Sequence, residues 1–135
     1  MKKNDAVKNW LDRAKSNLNI AKPKKIEQGI FYEDLCFNAQ QCVEKSLKAL
    51  CLFHEIKIPK THNITFLLDV IEKNSIKIPK GIKKSSLLTD YSVETRYPGD
   101  YDEVDKKEYE LVVKIAEIVY FWVSAKVIIK KFNKK

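Results

Sequence analysis

The chain has 135 residues and a mass of 15.8 kDa, which suits one domain, so we predict a single domain over residues 1–135. It contains only 3 glycines and 4 prolines, the residues that β-turns and phosphate-cradling loops require, and this scarcity favours helices. A hydrophobic fraction of 44% with a charged fraction of 33% excludes a disordered chain. No apolar run approaches the ~20 residues of a membrane span, so we expect no membrane partner.

The cysteines and the N-terminus indicate a compartment. The basic N-terminus is followed by no apolar run, which argues against a secretory signal. Cys36, Cys42 and Cys51 are odd in number and contain no CxxC pair, so we expect small buried apolar residues in a reducing environment. These features predict a cytoplasmic protein. A chain of this length also buries enough surface to fold without a structural metal, and we predict no cofactor and no metal.

The net charge of +8 is concentrated at the two ends of the chain. Residues 1–30 carry eight basic and three acidic side chains, and residues 126–135 carry five lysines and no acid. Such an excess attracts phosphate backbones and acidic partners but specifies neither.

Helical periodicity dominates the first half of the chain. Residues 5–21 form an amphipathic pattern, with Asp5 as its expected cap and Pro23 as its stop. Residues 31–55 form a second one, in which glutamine, glutamate and lysine alternate with an apolar stripe and are expected to remain on a polar face. That stripe consists of Leu35, Ala39, Cys42 or Val43, Leu47 and Leu50.

Three further helices are predicted in the second half. Thr61 is the expected cap of a short helix whose apolar residues are Ile64, Leu67, Leu68 and Ile71. A less regular pattern over residues 80–96 ends before Pro98, and residues 104–131 form the most apolar helix. With short connections, these helices predict an antiparallel bundle.

The last predicted helix has two apolar stripes and therefore needs cover on two sides. A second subunit supplies that cover most easily, so we predict a homodimer whose interface contains Val119, Phe121, Trp122 and Val123. One stripe consists of Leu111, Ile115, Ile118, Trp122, Ala125 and Ile129, and the other of Tyr109, Val112, Ala116, Val119, Val123 and Val127.

Sequence motifs for catalysis are few. Neither His54 nor His62 follows a glutamate at the spacing of a di-metal bundle, and the HExxH, P-loop and GxGxxG patterns are missing. His62 is expected in the first turn of the third helix, where it caps the end of the second helix or contacts a ligand.

The segment from Tyr91 to Tyr101 is the most unusual part of the sequence. It combines three tyrosines with Arg96, the second of two arginines. The planar fork of arginine suits bidentate contacts with phosphate, and aromatic rings can stack a base. Alternatively, Arg96 is structural and binds an acid such as Glu44 or Asp100.

Three motifs, in this order, resemble the HEPN domain. They are Ala-Gln-Gln-Cys-Val-Glu-Lys-Ser-Leu-Lys-Ala-Leu over residues 39–50, Thr61-His62, and Arg96-Tyr97-Pro98. The resemblance spans about residues 5–130. It implies an all-α, antiparallel up-and-down four-helix bundle with a short fifth helix, usually a homodimer, similar to the helical domain of kanamycin nucleotidyltransferase. It also implies a minimal nucleotidyltransferase as partner.

The same resemblance implies an active-site motif, Arg-x4–6-His, in the HEPN members that cleave RNA without metal. If Arg96 is that arginine, the histidine should occupy position 101, 102 or 103, where this chain has Tyr101, Asp102 and Glu103. We therefore expect no catalytic residues and a non-catalytic subunit that binds a nucleotide or RNA phosphate. The alternatives are a ribonuclease toxin with a substituted motif, and a structural dimer that binds nucleic acid loosely. The predicted nucleotide or phosphate site contains Arg96, Tyr97, Tyr101, Glu44, Lys48 and His62.

Overall fold

The computed structural model describes residues 2–92, 99 and 103–133, with side chains through residue 128. All secondary structure in these residues is helical, which confirms the all-α prediction. None of the described helices is both long enough and apolar enough to cross a membrane. In chain order the elements are α1 (Lys3–Ala21), α2 (Tyr32–Phe53), α3 (Ile64–Lys73), the single turn α4 (Lys80–Lys83), a 3-10 segment (Lys84–Tyr91) and α5 (Lys106–Asn133).

Helix α2 is the centre of the fold. It packs against α1, α5, α3 and the 3-10 segment, so it is enclosed around most of its circumference. Its apolar stripe is buried as predicted, but Gln40, Glu44 and Lys48 are buried as well. These three positions form a polar row, as expected, but the row is not exposed. His62 and its backbone cover Gln40 and Glu44, and Trp10 of α1 lies beside Lys48.

The helix starts differ from the predicted caps. Because α1 begins at Lys3, Asp5 lies inside the first turn instead of capping the helix. Asn63 caps α3 by accepting a hydrogen bond from the Phe66 amide at 3.0 Å. Thr61 accepts one from the Asn63 amide at 3.0 Å, so Thr61 shapes the preceding turn and His62 lies just outside the helix.

The helix predicted over residues 80–96 forms only in part. One α-turn passes into 3-10 geometry at Lys84, and residues 93–96 are outside the described part. Hydroxyl side chains here bond to backbone groups, which competes with regular helix. Ser85 donates to the Ile82 carbonyl at 2.6 Å, and the Thr89 hydroxyl accepts from the Ile64 amide at 3.1 Å.

Helix α5 buries one of its two apolar stripes inside the protomer. Val119 and Val123 are fully buried there, so the prediction that they form a dimer interface is wrong. Phe121 is exposed and Trp122 is partly buried. The exposed large apolar residues of α5 repeat at intervals of three or seven; we call Leu111, Ile118, Phe121 and Ile128 the outer stripe of α5.

Candidate functional site

A buried carboxylate, Glu44, is the centre of a polar cluster between α2 and the segment before α3. The residue is 3% exposed. Its Oε2 accepts a hydrogen bond from Lys48 Nζ at 2.9 Å, and its Oε1 accepts from Gln40 Nε2 at 3.2 Å. His62 Nδ1 lies 2.9 Å from the same Oε1, and because a carboxylate can only accept, the ring nitrogen donates. We call these four residues the Glu44 cluster.

Helix geometry explains how three of these residues meet. Gln40, Glu44 and Lys48 are spaced four apart on α2, which places them in one row along the helix. His62 arrives from the chain before α3, and Gln40 Nε2 also donates to the His62 carbonyl at 3.2 Å. Both the backbone and the ring of His62 are therefore fixed by side chains of α2.

The residues of the Glu44 cluster differ in their exposure to solvent. Lys48 is 7% exposed, pairs with Glu44 and lies 5.9 Å from the centroid of the Trp10 ring. The side chain of His62, by contrast, is 48% exposed. A carboxylate behind an exposed imidazole fixes which ring nitrogen carries the inner proton, as in catalytic Asp–His pairs. The cluster thus presents one oriented imidazole at the surface.

The structure brings together three of the six predicted site residues. Glu44 and Lys48 are buried, so neither is open to the direct contact with a nucleotide that we expected; Glu44 bonds to His62, and Lys48 bonds to Glu44. Arg96, Tyr97 and Tyr101 lie outside the described residues. Sequence reasoning missed Gln40, although its spacing of four residues from Glu44 is the signal that could have identified it.

The 3-10 segment (Lys84–Tyr91) is bonded to the chain next to this cluster. The Thr89 hydroxyl accepts from the Ile64 amide, two residues beyond His62 in the chain. Tyr91 then hydrogen-bonds to Glu108 in the first turn of α5. The 3-10 segment that precedes Arg96 in the sequence is therefore anchored both to the start of α3 and to the start of α5.

The cysteines are not candidates for nucleophilic chemistry. All three are buried, as predicted, and they form no disulfide with one another. Burial raises the pKa of Cys42 to about 12 and that of Cys51 to about 11, so their thiols remain protonated near neutral pH. Within the described residues, no group of three or more His, Cys, Asp or Glu side chains could hold a metal ion.

The chain is similar to known proteins both in sequence and in fold. The chain is 28% identical over 128 residues to "Putative toxin MJ1304" of Methanocaldococcus jannaschii, covering 84% of this chain and 82% of that protein. Two crystal structures match most of the fold. TT1696 from Thermus thermophilus gives a TM-score of 0.72 at 27% identity over 89% of this chain and 97% of that one. ST0689, described as an archaeal HEPN homologue, gives 0.70 at 26% identity over 90% and 97%.

The family assignment rests on nearly the whole chain. The model of the HEPN domain matches residues 7–127, which run from the first turns of α1 almost to the end of α5. Both the Glu44 cluster and the segment with Arg96 lie inside the matched range. This chain belongs to the HEPN domain family.

Proposed function

We propose that this protein is a non-catalytic, phosphate-binding HEPN subunit that works with a minimal nucleotidyltransferase in a toxin–antitoxin-like system. Membership of the HEPN family and the similarity to a protein named as a toxin support the system. The observation that supports the binding role is the Glu44 cluster, in which a buried ion pair orients one exposed imidazole. Burying these charges costs desolvation energy, and a fixed orientation of the imidazole is what a binding site requires.

The proposed ligand is the phosphate of a nucleotide or RNA. Arg96 supplies the planar fork that grips two phosphate oxygens, and His62 supplies a further hydrogen bond from the Glu44 cluster. Tyr97 and Tyr101 offer faces on which a base can stack. Positions 101–103 hold no histidine, so the proton transfer that cleavage requires has no group at the family's usual spacing.

A ribonuclease with a substituted motif is the second candidate, and one observation favours it. Glu44 and His62 form a carboxylate–imidazole pair with a half-exposed ring, the type of group that moves protons in metal-independent phosphodiester cleavage. In that case His62 would take the role of the missing motif histidine.

An RNA incubation in EDTA separates these two candidates. The binding function predicts that the purified protein retains labelled RNA without cutting it. If the wild-type protein cleaves RNA and His62→Asn does not, the binding function is contradicted. Asparagine can still bond to Glu44 near the position of His62 Nδ1, but it has no counterpart of Nε2 to transfer a proton. His54→Asn, a histidine outside the Glu44 cluster, is the matched control and should leave any such cleavage unchanged.

The outer stripe of α5 supports the homodimer that belongs to this proposal. Its four large side chains are 44–59% exposed, which leaves about 400 Å² of surface open, within the range of the largest apolar patch on a monomer. Two copies would bury about 800 Å² through these side chains alone, so residues beside the stripe must join the interface for it to reach the size of a specific one, about 1,200 Å². Lys114 and Glu117 lie beside Ile118 and Phe121 around an open depression of about 230 Å³, so the stripe has polar borders.

A further inference from the structure

Helices α1 and α2 carry a second basic feature, apart from the Glu44 cluster and from residues 93–102. It consists of Arg13 on α1 and Lys45 on α2, which we call the Arg13–Lys45 pair. Arg13 Nε donates to Asn9 Oδ1 at 3.3 Å, and Lys45 Nζ donates to Asn17 Oδ1 at 2.8 Å. Both cations are therefore bound to neutral amides, which orient them without neutralising their charge.

The acids nearest to this pair in the sequence are engaged elsewhere. Asp12, next to Arg13, accepts from Lys8 at 2.6 Å. Glu44, next to Lys45, is buried and holds Lys48 and His62. Within the described part of the chain, neither Arg13 nor Lys45 forms an ion pair, so neither cation has an acidic side chain in direct contact.

Lys45 is also held in an electrostatically unfavourable place. Burial lowers its pKa, Glu44 partly offsets that effect, and the cations Arg13 and Lys48 lower the pKa further. An ammonium that is partly removed from water and surrounded by like charges is stabilised when an anion binds beside it. The electrostatic environment thus favours an anionic ligand on this surface.

A hydrogen-bond chain behind Lys45 makes the surface rigid before any ligand arrives. Asn17 Nδ2 donates to Asn38 Oδ1 at 3.0 Å, and Asn38 Nδ2 donates to the Asp34 carbonyl at 3.1 Å. These contacts join α1 to α2 and fix the amide that holds the ammonium. Preorganised donors bind anions at a lower entropic cost than mobile surface lysines.

We propose that the Arg13–Lys45 pair is a second phosphate site, which takes a backbone phosphate of single-stranded RNA. Arg13 is exposed, and its Nε is occupied by Asn9, so its terminal amino groups form the contact. Lys45 supplies the point charge from α2. The inference rests on the proposed function for the class of ligand, but on none of the residues assigned to that function. A free nucleotide offers the same phosphate chemistry, and the test below distinguishes the two sources.

The test measures binding of a fluorescently labelled 12-residue oligouridylate by anisotropy across a range of salt concentrations. Arg13→Gln with Lys45→Gln should weaken binding about tenfold near 0.1 M salt and reduce the salt slope by about 0.7, since the site neutralises one phosphate and each single-strand phosphate contributes ~0.7. Glutamine at position 45 can still donate to Asn17. Arg13→Gln alone, at an exposed position, should reduce the slope by about half as much and covers the case in which the double variant fails to fold.

Lys77→Gln is the matched control, because Lys77 is an exposed lysine between α3 and α4, away from the α1–α2 surface. It should leave the salt slope unchanged. An equal loss in Lys77→Gln would overturn the proposal, because it would show general charge attraction without a defined site. No loss in Arg13→Gln would overturn it as well, because Arg13 would then make no phosphate contact.

A parallel titration with ATP identifies the source of the phosphate. Unchanged ATP affinity in the double variant supports the RNA assignment, whereas a loss for ATP as large as that for RNA overturns it in favour of a nucleotide. Arg96→Lys separates this inference from the proposed function. If Arg96→Lys binds like the wild type while the double variant is weakened, the proposed function fails and the Arg13–Lys45 site stands. If the wild type binds neither ligand, both fail.

Discussion

Replacing Glu44 by glutamine tests the buried cluster most directly, because the change removes a charge and keeps the volume. Lys48 would then keep its buried ammonium without a counter-ion, and His62 would compete for one remaining acceptor oxygen. Breaking one side of a buried ion pair costs about 3–5 kcal/mol. No cavity is created, so we expect the lower end, about 3 kcal/mol of unfolding free energy and a melting temperature lower by about 10 °C.

Urea unfolding followed by circular dichroism, at one fixed protein concentration, measures this loss. Asp12→Asn is the control, since it breaks the exposed ion pair with Lys8 and should cost less than about 0.5 kcal/mol. Glu44→Leu combined with Lys48→Met replaces the whole pair by apolar groups and should be more stable than Glu44→Gln. A loss below about 1 kcal/mol in Glu44→Gln would refute the description of a buried, interdependent pair.

Three further outcomes are expected. Because burial raises the pKa of Cys42 to about 12 and of Cys51 to about 11 from an ordinary value of 9.0, the unfolded chain loses thiol protons first as pH rises. The free energy of unfolding should therefore fall by about 1.4 kcal/mol per pH unit per thiol above pH ~9, and a double Cys→Ala variant should lack this part of the slope in urea titrations. Light scattering should give about twice 15.8 kDa for the wild type and a monomer for Phe121→Lys, and a monomeric wild type would contradict the dimer. Tyr109→Phe removes the bond to the Ala21 carbonyl and should cost about 1 kcal/mol in thermal unfolding, whereas no change would show that this bond adds nothing.

The fold was predictable from periodicity where one face of a helix is buried. The apolar stripes of α1 and α3 repeat at three- and four-residue spacing, and the structure buries those of their residues that face the core. Periodicity failed on α2, since a helix in the centre of a bundle buries polar residues that find partners on neighbouring elements. Glu44 looks like a surface glutamate in the sequence, and its partner His62 lies 18 residues away across a turn.

The outer surface of α5 was harder to predict for a different reason. Both of its stripes are apolar, so the sequence showed that the helix needs cover on two sides but not which side the protomer itself supplies. The structure places Val119 and Val123 inside and leaves Ile118 and Phe121 outside. The choice depends on how α5 lies against α2, which is a tertiary property that a single helix does not encode.

The candidate site was predictable in part because its pieces are sequence motifs. Three motifs in a fixed order indicated the family and identified His62 as a candidate; they are residues 39–50, Thr61-His62 and Arg96-Tyr97-Pro98. The roles of Glu44 and Lys48 were not predictable, since whether a charged residue contacts a ligand or supports a neighbour depends on burial. The Arg13–Lys45 pair carried no motif at all, because its residues are 32 positions apart and lie on one surface only when α1 packs on α2.

The central claim is that this HEPN protein binds phosphate through Arg96, and Arg96→Lys tests it most directly. The substitution keeps the positive charge and removes the planar fork. Nucleotide affinity and melting temperature, measured on the same preparation, should show at least a tenfold weaker affinity with a melting temperature within about 1 °C of the wild type. An unchanged affinity together with a loss of about 1–3 kcal/mol in stability would contradict the claim, because Arg96 would then hold an acidic partner inside the protein instead of a ligand.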